Sequence, residues 1–256
     1  MSSDWDPELY DRFRAERRRP LNDLLSLLPP GLRGRWVDLG CGDGAPTALA
    51  ASLGNPDTVL GIDSSASMLS RAPTRPLFRW LQADVDAWLR TAEDQYELVL
   101  SNAFLHWLPD HHEVVPRILA RLAPGGWLAL QMPMNHDQTS HQTLVDTARD
   151  FGELDGFVHD WPQRPPNLYA HLGGSLKHQV CEVRTYRHFL PGPAAIAAWL
   201  QSTGMRPWLD RLSQARAEDF VAAYTRRIAA ALPPIDASGM RALDYRRLLW
   251  VGQRST

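Results

Sequence analysis

Short apolar runs alternate with helical patterns between residues 34 and 132, and this alternation limits the chain to few folds. The segments between the runs, APTALAASL, SASMLSRA, DAWLRTA and VVPRILARL, carry apolar residues at helical spacing. Such alternation predicts parallel strands joined by right-handed crossovers. LAPGG at 122–126 indicates a helix end and a turn into the fifth strand. The five predicted strands are RWVDL (35–39), TVLGID (58–63), FRWLQAD (78–84), YELVLSN (96–102) and GWLALQM (126–132).

The pattern changes after Met132, where the segment 133–167 is rich in His, Asp, Pro and Asn. A helical block between the last two strands predicts a cap lying over one end of the sheet. The fold class predicted is therefore α/β, a Rossmann-like sheet of seven strands with a helical cap inserted before the last strand. The elements predicted here are a helix at 140–151, strands at 180–190 and 246–254, and a helical block at 193–231 broken only by Arg206 and Pro207.

The predicted organisation is one structural domain in three segments: an N-terminal helical segment (1–30), a ligand-binding core (31–133) and the remaining strands with the cap (134–256). The net charge of -2 gives no argument for nucleic acid or an anionic membrane as partner. No apolar run approaches 18 residues, and the N-terminus has no apolar signal region. With only two cysteines, we expect a soluble cytoplasmic protein whose oligomeric state is open.

A glycine-rich turn, VDLGCGDGAP (37–46), follows the first strand. Gly40 and Gly42 allow a tight turn and the close approach of a ligand to the backbone. A turn that only joins strand to helix would use the same residues. GCGDGA also matches the dinucleotide pattern G-x-G-x-x-G/A, so the turn alone leaves the cofactor open.

Two acids follow the next two strands, where ligands bind in open α/β sheets. Asp63 ends the second strand, where a carboxylate accepts hydrogen bonds from ribose hydroxyls. Asp84 ends the third predicted strand, and with Val85 it could bind an adenine ring. Each acid could instead cap a helix, and Ser64 after Asp63 suits the same role.

Asp38 separates the candidate cofactors, because it lies at the end of the first strand, two residues before Gly40. An acid there attracts an ammonium group and repels a pyrophosphate. Asn102 leaves the fourth strand with a polar amide, followed by the aromatic segment AFLHW. Asp38, and the lack of residues suited to hydride transfer, argue against a nicotinamide-dependent oxidoreductase.

The series DLGCGDG, GID, AD and SNAFLHW resembles the motif series of class I S-adenosylmethionine-dependent methyltransferases, in the same order and with similar gaps. The resemblance implies S-adenosylmethionine as cofactor. It assigns the methionine end to Asp38, Gly40 and Gly42, the ribose to Asp63 with Ser64 beside it, the adenine to Asp84 and Val85, and the region near the sulfonium to Asn102.

The resemblance extends to the trans-aconitate 2-methyltransferase family through WDPELYDRFRAERRRP (5–20), GIDSSASML, SNAFLHWLPDH, LALQMP, STGMRPWL (202–209) and RRLLW. It implies methyl esterification of a carboxylate on a small unsaturated tricarboxylic acid. A carboxylate is already anionic at pH 7, so such an enzyme needs cationic groups and no general base. Asp43, where related sequences more usually have proline, and the poorly matching segment 151–167 depart from the pattern.

The resemblance also suggests residues for the substrate. His106 and Arg206 are the catalytic candidates, and His106 could orient the acceptor oxygen. Arginines can bind carboxylates as charge-assisted forks. Each of these candidate residues could instead have a structural role: a solvated helix face for arginines 12–19, a turn for Arg206, a surface ion pair for Arg247, and a packed loop for His106. The substrate-binding candidates are Tyr10, Arg17, Arg19, Arg206 and Arg247.

Other chemistry finds less support in the sequence. Asp110, His111 and His112 lack a strong metal-ligand pattern and are more typical of a helix start, so no metal is expected. Ser101 and Ser140 have no obvious base partner, which argues against a hydrolase. Trp199, Trp208 and Tyr186 are expected in the core. Two alternatives stay open: a methyltransferase for another small carboxylic acid or biosynthetic intermediate, and a nonenzymatic binder of S-adenosylmethionine.

Overall fold

The computed structural model describes residues 14–154, 157 and 165–256, with the backbone only of residues 14–17 and 153. The described chain forms two compact units. One unit contains residues 17–133, 165–184 and 247–256, and the other contains residues 14–16, 134–154, 157 and 185–246. In the described part of the chain, no helix combines the length and apolarity needed to cross a membrane.

Seven strands form one sheet, as predicted, and their order in the sheet is β3-β2-β1-β4-β5-β7-β6. The neighbours among the first five strands pair in parallel, and β7 pairs antiparallel with β5. The order reverses at β1 and β4, so ligands are expected beyond the carboxyl ends of these strands. The strands are β1 (Arg35–Leu39), β2 (Thr58–Asp63), β3 (Phe78–Gln82), β4 (Tyr96–Asn102), β5 (Leu122–Pro133), β6 (Leu176–Leu190) and β7 (Arg241–Arg254).

Helices connect the parallel strands, and three more lie between β6 and β7, where the cap was predicted. A short 3-10 helix, Leu105–Trp107, follows β4, and another, Gly152–Leu154, follows α6. The α-helices are α1 (Arg14–Leu25), α2 (Ala45–Leu53), α3 (Ala66–Leu69), α4 (Val85–Thr91), α5 (His111–Ala120), α6 (Thr139–Arg149), α7 (Pro166–Leu172), α8 (Pro193–Gln201), α9 (Arg206–Leu209) and α10 (Gln214–Ala231).

The central strands are buried on both faces, which explains why their sequences are nearly continuous apolar runs. Trp36, Leu98 and Leu100 lie in a core cluster of this unit, and α1 contributes Leu24, which is fully buried. This core holds the carboxyl ends of the parallel strands in fixed register.

The other unit has a separate core. Here α10 packs against α6 and α8, and Phe220 and Tyr224 of α10 are fully buried. Trp199 and Trp208 lie in the same cluster, and Tyr186 is also buried, which confirms the prediction for these three residues.

Several predicted boundaries were wrong. LAPGG does not precede β5 but lies within it, and the register against β4 shifts there. Arg206 and Pro207 do not interrupt a helix but begin α9, because proline is tolerated in a first helical turn. Arg247 lies inside β7, which begins at Arg241, and β6 begins at Leu176. Finally, β3 ends at Gln82, before Asp84.

Candidate functional site

Asp38 is a buried acid of β1, with 1% of its surface exposed. Its Oδ2 accepts a 2.5 Å hydrogen bond from the Thr47 hydroxyl. Its Oδ1 is buried and has no hydrogen-bond partner among the described residues. Burial raises the pKa of Asp38 to about 7; the Thr47 hydrogen bond opposes this rise, and the charge of Asp63 adds to it. A buried carboxylate with an unused oxygen suits a cationic hydrogen-bond donor.

The glycine-rich loop after β1 is fixed by β2. The N–H of Gly40 donates to the carbonyl of Ile62 at 2.9 Å, and the N–H of Gly42 donates to Oδ2 of Asp63 at 2.8 Å. Gly40 has a φ of +75°, and a Cβ at this position would overlap the ring of Phe104. The missing side chain at Gly40 therefore makes room for a protein ring, which the sequence did not indicate.

Asp63 is the last residue of β2, as predicted, and is half-buried. Its Oδ1 accepts a hydrogen bond from the N–H of Ser65 at 2.9 Å, in addition to the bond from Gly42 to Oδ2. Ser65 is the N-cap of α3, and Ser64 is exposed. The cap function thus falls to Ser65, and each oxygen of Asp63 keeps a lone pair for a further donor.

Asp84 is the N-cap of α4, and its Oδ1 accepts a hydrogen bond from the N–H of Ala87 at 2.8 Å. Val85, the first residue of α4, is 2% exposed. The helix-cap interpretation of Asp84 is therefore realised. A cap uses one carboxylate oxygen, so it does not conflict with a second role for this acid.

Asn102 ends β4 beside Gln131 of β5. Its Oδ1 accepts a 2.6 Å hydrogen bond from Nε2 of Gln131. The Oε1 of Gln131 accepts in turn from Nη1 of Arg247 in β7, at 3.4 Å. Gln131 and Arg247 are both buried, at 2% and 8% exposure. Three neighbouring strands thus carry one connected polar row.

The chain turns sharply after Asn102, because Ala103 has a φ of +56°. An alanine in this region costs roughly 1–2 kcal/mol. The N–H of Ala103 donates to the carbonyl of Gln131 at 2.9 Å, which holds the turn. Gln131 therefore contacts both residues at the end of β4, through its side chain and its backbone.

His106 lies in the 3-10 helix after this turn, and its ring centroid is 4.8 Å from that of Trp107. His111 anchors the helix, because its Nε2 is 2.9 Å from the carbonyl of Leu105. A carbonyl only accepts, so Nε2 must carry the proton. The Nδ1 of His111 lies 2.7 Å from the hydroxyl of Tyr169 in α7.

The candidate substrate residues are spread along the chain. Tyr10 lies outside the described residues, and of Arg17 only the backbone, in α1, is described. Arg19 is exposed on α1. Arg206 belongs to the second unit, and its Nη2 lies 3.9 Å from Oδ1 of Asp210. Of the predicted site residues, the structure links Gly42 directly with Asp63, and Arg247 with Asn102 through Gln131.

Sequence reasoning missed Thr47, Gln131 and Phe104. Gln131 had a signal, since it is the polar residue within the apolar run LALQM. Asp110 caps α5 as expected, accepting a hydrogen bond from the N–H of His112. Within the described ranges, no group of three or more His, Cys, Asp or Glu side chains could hold a metal ion.

Comparison with known proteins places this arrangement in a family. A model of the methyltransferase domain matches residues 11–206. Trans-aconitate 2-methyltransferase of Paracidovorax citrulli is 39% identical, over 98% of this chain and 99% of that protein. The protein of the same name from Acidovorax ebreus is 38% identical, with the same coverage.

A solved structure supports the fold. The S-adenosylmethionine-dependent methyltransferase of Geobacter sulfurreducens, solved in complex with S-adenosyl-L-homocysteine, has a TM-score of 0.52 and 15% identity, over 91% of this chain and 90% of that chain. The chain therefore belongs to the methyltransferase domain family, in the group that contains the trans-aconitate 2-methyltransferases.

Proposed function

We propose that this protein transfers a methyl group from S-adenosylmethionine to a carboxylate of trans-aconitate and releases the monomethyl ester. Full-length similarity to proteins that carry this name supports the substrate. The observation that carries the cofactor assignment is the buried carboxylate of Asp38, whose Oδ1 has no hydrogen-bond partner among the described residues. A cytoplasmic location is part of the proposal, supported by the two free cysteines, Cys41 and Cys181.

The residues at the carboxyl ends of β1 and β2 fit the proposed cofactor. The buried carboxylate of Asp38 is a negatively charged hydrogen-bond acceptor for an ammonium group, and it would repel a pyrophosphate. Asp63 is held by the N–H groups of Gly42 and Ser65, with lone pairs left for ribose hydroxyls. We assign the turn itself, Gly40 and Gly42, to the methionine end, with exposed Ser64 beside the ribose.

We assign Asp84 and Val85 to the adenine ring. Asp84 keeps one carboxylate oxygen beyond its cap bond, which can accept from an exocyclic amine. Asn102 lies beside the reaction centre in this proposal. When bound, S-adenosylmethionine supplies an electrophilic methyl group, so the protein must supply alignment and charge.

The acceptor chemistry requires no general base. A carboxylate at pH 7 is already ionised, and its oxygen can attack once it is held in line and partly desolvated. We assign its orientation to His106. Guanidinium groups are suited to the remaining carboxylates, and we assign this role to Arg17, Arg19, Arg206 and Arg247. We assign to Tyr10 a hydrogen bond from its hydroxyl to the same substrate.

The test is a transfer assay with labelled S-adenosylmethionine against trans-aconitate, cis-aconitate, citrate and isocitrate. We expect a strong preference for trans-aconitate and one ester product per methyl group consumed. Equal activity on all four acids would contradict the substrate assignment and favour a methyltransferase for another small acid. A titration that shows cofactor binding, with no turnover of any acid, would favour a nonenzymatic binder.

A further inference from the structure

Gln131 is buried at the end of β5 and has no role in the function proposed above. It contacts Arg247 on one side and Asn102 on the other. All three side chains lie in the same unit, on neighbouring strands in the order β4, β5 and β7. A buried amide is costly unless both its donor and its acceptor are used, and here both are.

The charge of Arg247 determines how both amides point. A guanidinium only donates, so the atom of Gln131 that faces Arg247 must be the oxygen, Oε1. The NH₂ group of Gln131 therefore faces Asn102. Because an NH₂ group only donates, the atom of Asn102 that faces it must be Oδ1. The NH₂ group of Asn102 therefore lies on the side of its amide that faces away from Gln131.

We propose that Gln131 is a positioning residue that makes Asn102 present an N–H donor to the acceptor carboxylate of the substrate. This inference rests on the proposed function and adds to it which end of the Asn102 amide faces the substrate. An amide NH₂ favours an anionic oxygen, whereas an amide oxygen in its place would repel one. Asn102 binds the substrate acid in this arrangement, and Gln131 acts only through it.

The backbone of Gln131 strengthens the arrangement. Its carbonyl accepts the N–H of Ala103, the residue with a φ of +56° that turns the chain after Asn102. The side chain of Gln131 therefore holds the amide of Asn102, and the backbone carbonyl of Gln131 holds the next residue, Ala103. Two bonds from one buried residue restrict the rotamer of Asn102, so the donor is oriented before substrate binds.

Gln131→Glu reverses the polarity with little change in shape. The new carboxylate still accepts from Arg247 but cannot donate, so the amide of Asn102 turns its NH₂ group inward and presents Oδ1. Gln131→Met removes both side-chain hydrogen bonds and leaves the amide of Asn102 free to turn either way. A purely structural role predicts greater loss in Gln131→Met. The positioning role predicts greater loss in Gln131→Glu.

We would measure trans-aconitate binding to protein loaded with S-adenosylhomocysteine by calorimetry, and the KM of each substrate in the transfer assay. In Gln131→Glu we expect the Kd and KM of the acid to rise about tenfold or more, the change expected when one hydrogen bond to a charged group is lost. The KM of the cofactor should change less than about twofold, which corresponds to less than about 0.4 kcal/mol of binding free energy. Gln253→Glu, at the other end of the β5–β7 pairing, is the matched control for the added charge.

The inference is overturned if Gln131→Glu binds the acid as wild type does, if Gln131→Met loses as much affinity, or if cofactor affinity falls in parallel. Repeating the titration at high salt screens general repulsion, so a loss that disappears there also counts against it. Wild-type protein that binds the acid without methylating it would contradict the proposed function alone. Wild-type protein that does not bind the acid would overturn both.

Discussion

The hydroxyl of Thr47 donates a 2.5 Å hydrogen bond to Oδ2 of Asp38, and Oδ1 of the same carboxylate stays buried without a hydrogen-bond partner among the described residues. The two oxygens of one acid are therefore in different states. One is satisfied by the fold, and the other suits a ligand that brings its own positive charge. Because of this asymmetry, Asp38 lowers the stability of the ligand-free protein and raises the affinity for the cofactor. The two effects can be measured separately.

Asp38→Asn should stabilise the ligand-free protein in a pH-dependent way. The folded pKa of Asp38 is raised to about 7, above the unfolded value of about 3.9. The folded state therefore holds an extra proton between these values, and wild type loses up to about 1.4 kcal/mol per pH unit as pH rises through this window. Thermal unfolding at pH 5, 6, 7 and 8 should show a growing advantage of the variant up to pH 7 and a constant one above. The same change at exposed Asp57 is the control; an advantage that does not vary with pH would contradict the assignment.

Cofactor affinity should fall as the pH falls below about 7, because an ammonium group prefers the ionised form of Asp38. The expected loss approaches about tenfold per pH unit well below the pKa. Calorimetric titration with S-adenosylhomocysteine between pH 5.5 and 8 measures it. Asp38→Asn should bind weakly throughout this range and lack the pH dependence. A variant that keeps the wild-type profile would remove Asp38 from the site.

Gly40→Ala should destabilise the protein by about 2–4 kcal/mol, because a φ of +75° and overlap with the Phe104 ring both oppose a Cβ. Gly239→Ala is the matched control, since Gly239 has a φ of +82° and open space around it. Chemical denaturation of both variants separates the backbone penalty from the overlap. Adding Phe104→Ala to Gly40→Ala should change stability less than the sum of the single variants predicts. Strict additivity would show that the two residues do not interact.

Arg206→Ala should raise the KM of trans-aconitate about 10- to 100-fold and leave the KM of the cofactor unchanged. The expected size corresponds to about 1.5–3 kcal/mol for a hydrogen bond to a charged group. Arg226→Ala, which removes an exposed arginine of α10 in the same unit, is the control. Initial-rate kinetics with each substrate varied in turn give both constants. An unchanged KM for the acid would exclude Arg206 from substrate binding.

Local sequence patterns were enough to predict the seven strands of the sheet and the polar residues at the strand ends. The runs at 35–39, 58–63 and 96–102 match β1, β2 and β4 residue for residue. Apolar periodicity, glycine turns and capping residues are local properties, and the chain order of parallel strands then brings their carboxyl ends to one edge. This reasoning placed Asp38, Asp63 and Asn102 correctly at the ends of their strands.

Which side chains meet, and how each is oriented, depends on contacts between segments that are far apart in the chain. Gln131 and Asn102 are 29 residues apart, and only the register of β4 against β5 makes them neighbours. Phe104 lies over Gly40 because the chain turns at Ala103, where no glycine or proline in the sequence predicts a turn. Local turn signals failed in LAPGG, where strand pairing outweighs them. Contacts between distant segments depend on register and packing, which local sequence patterns do not contain.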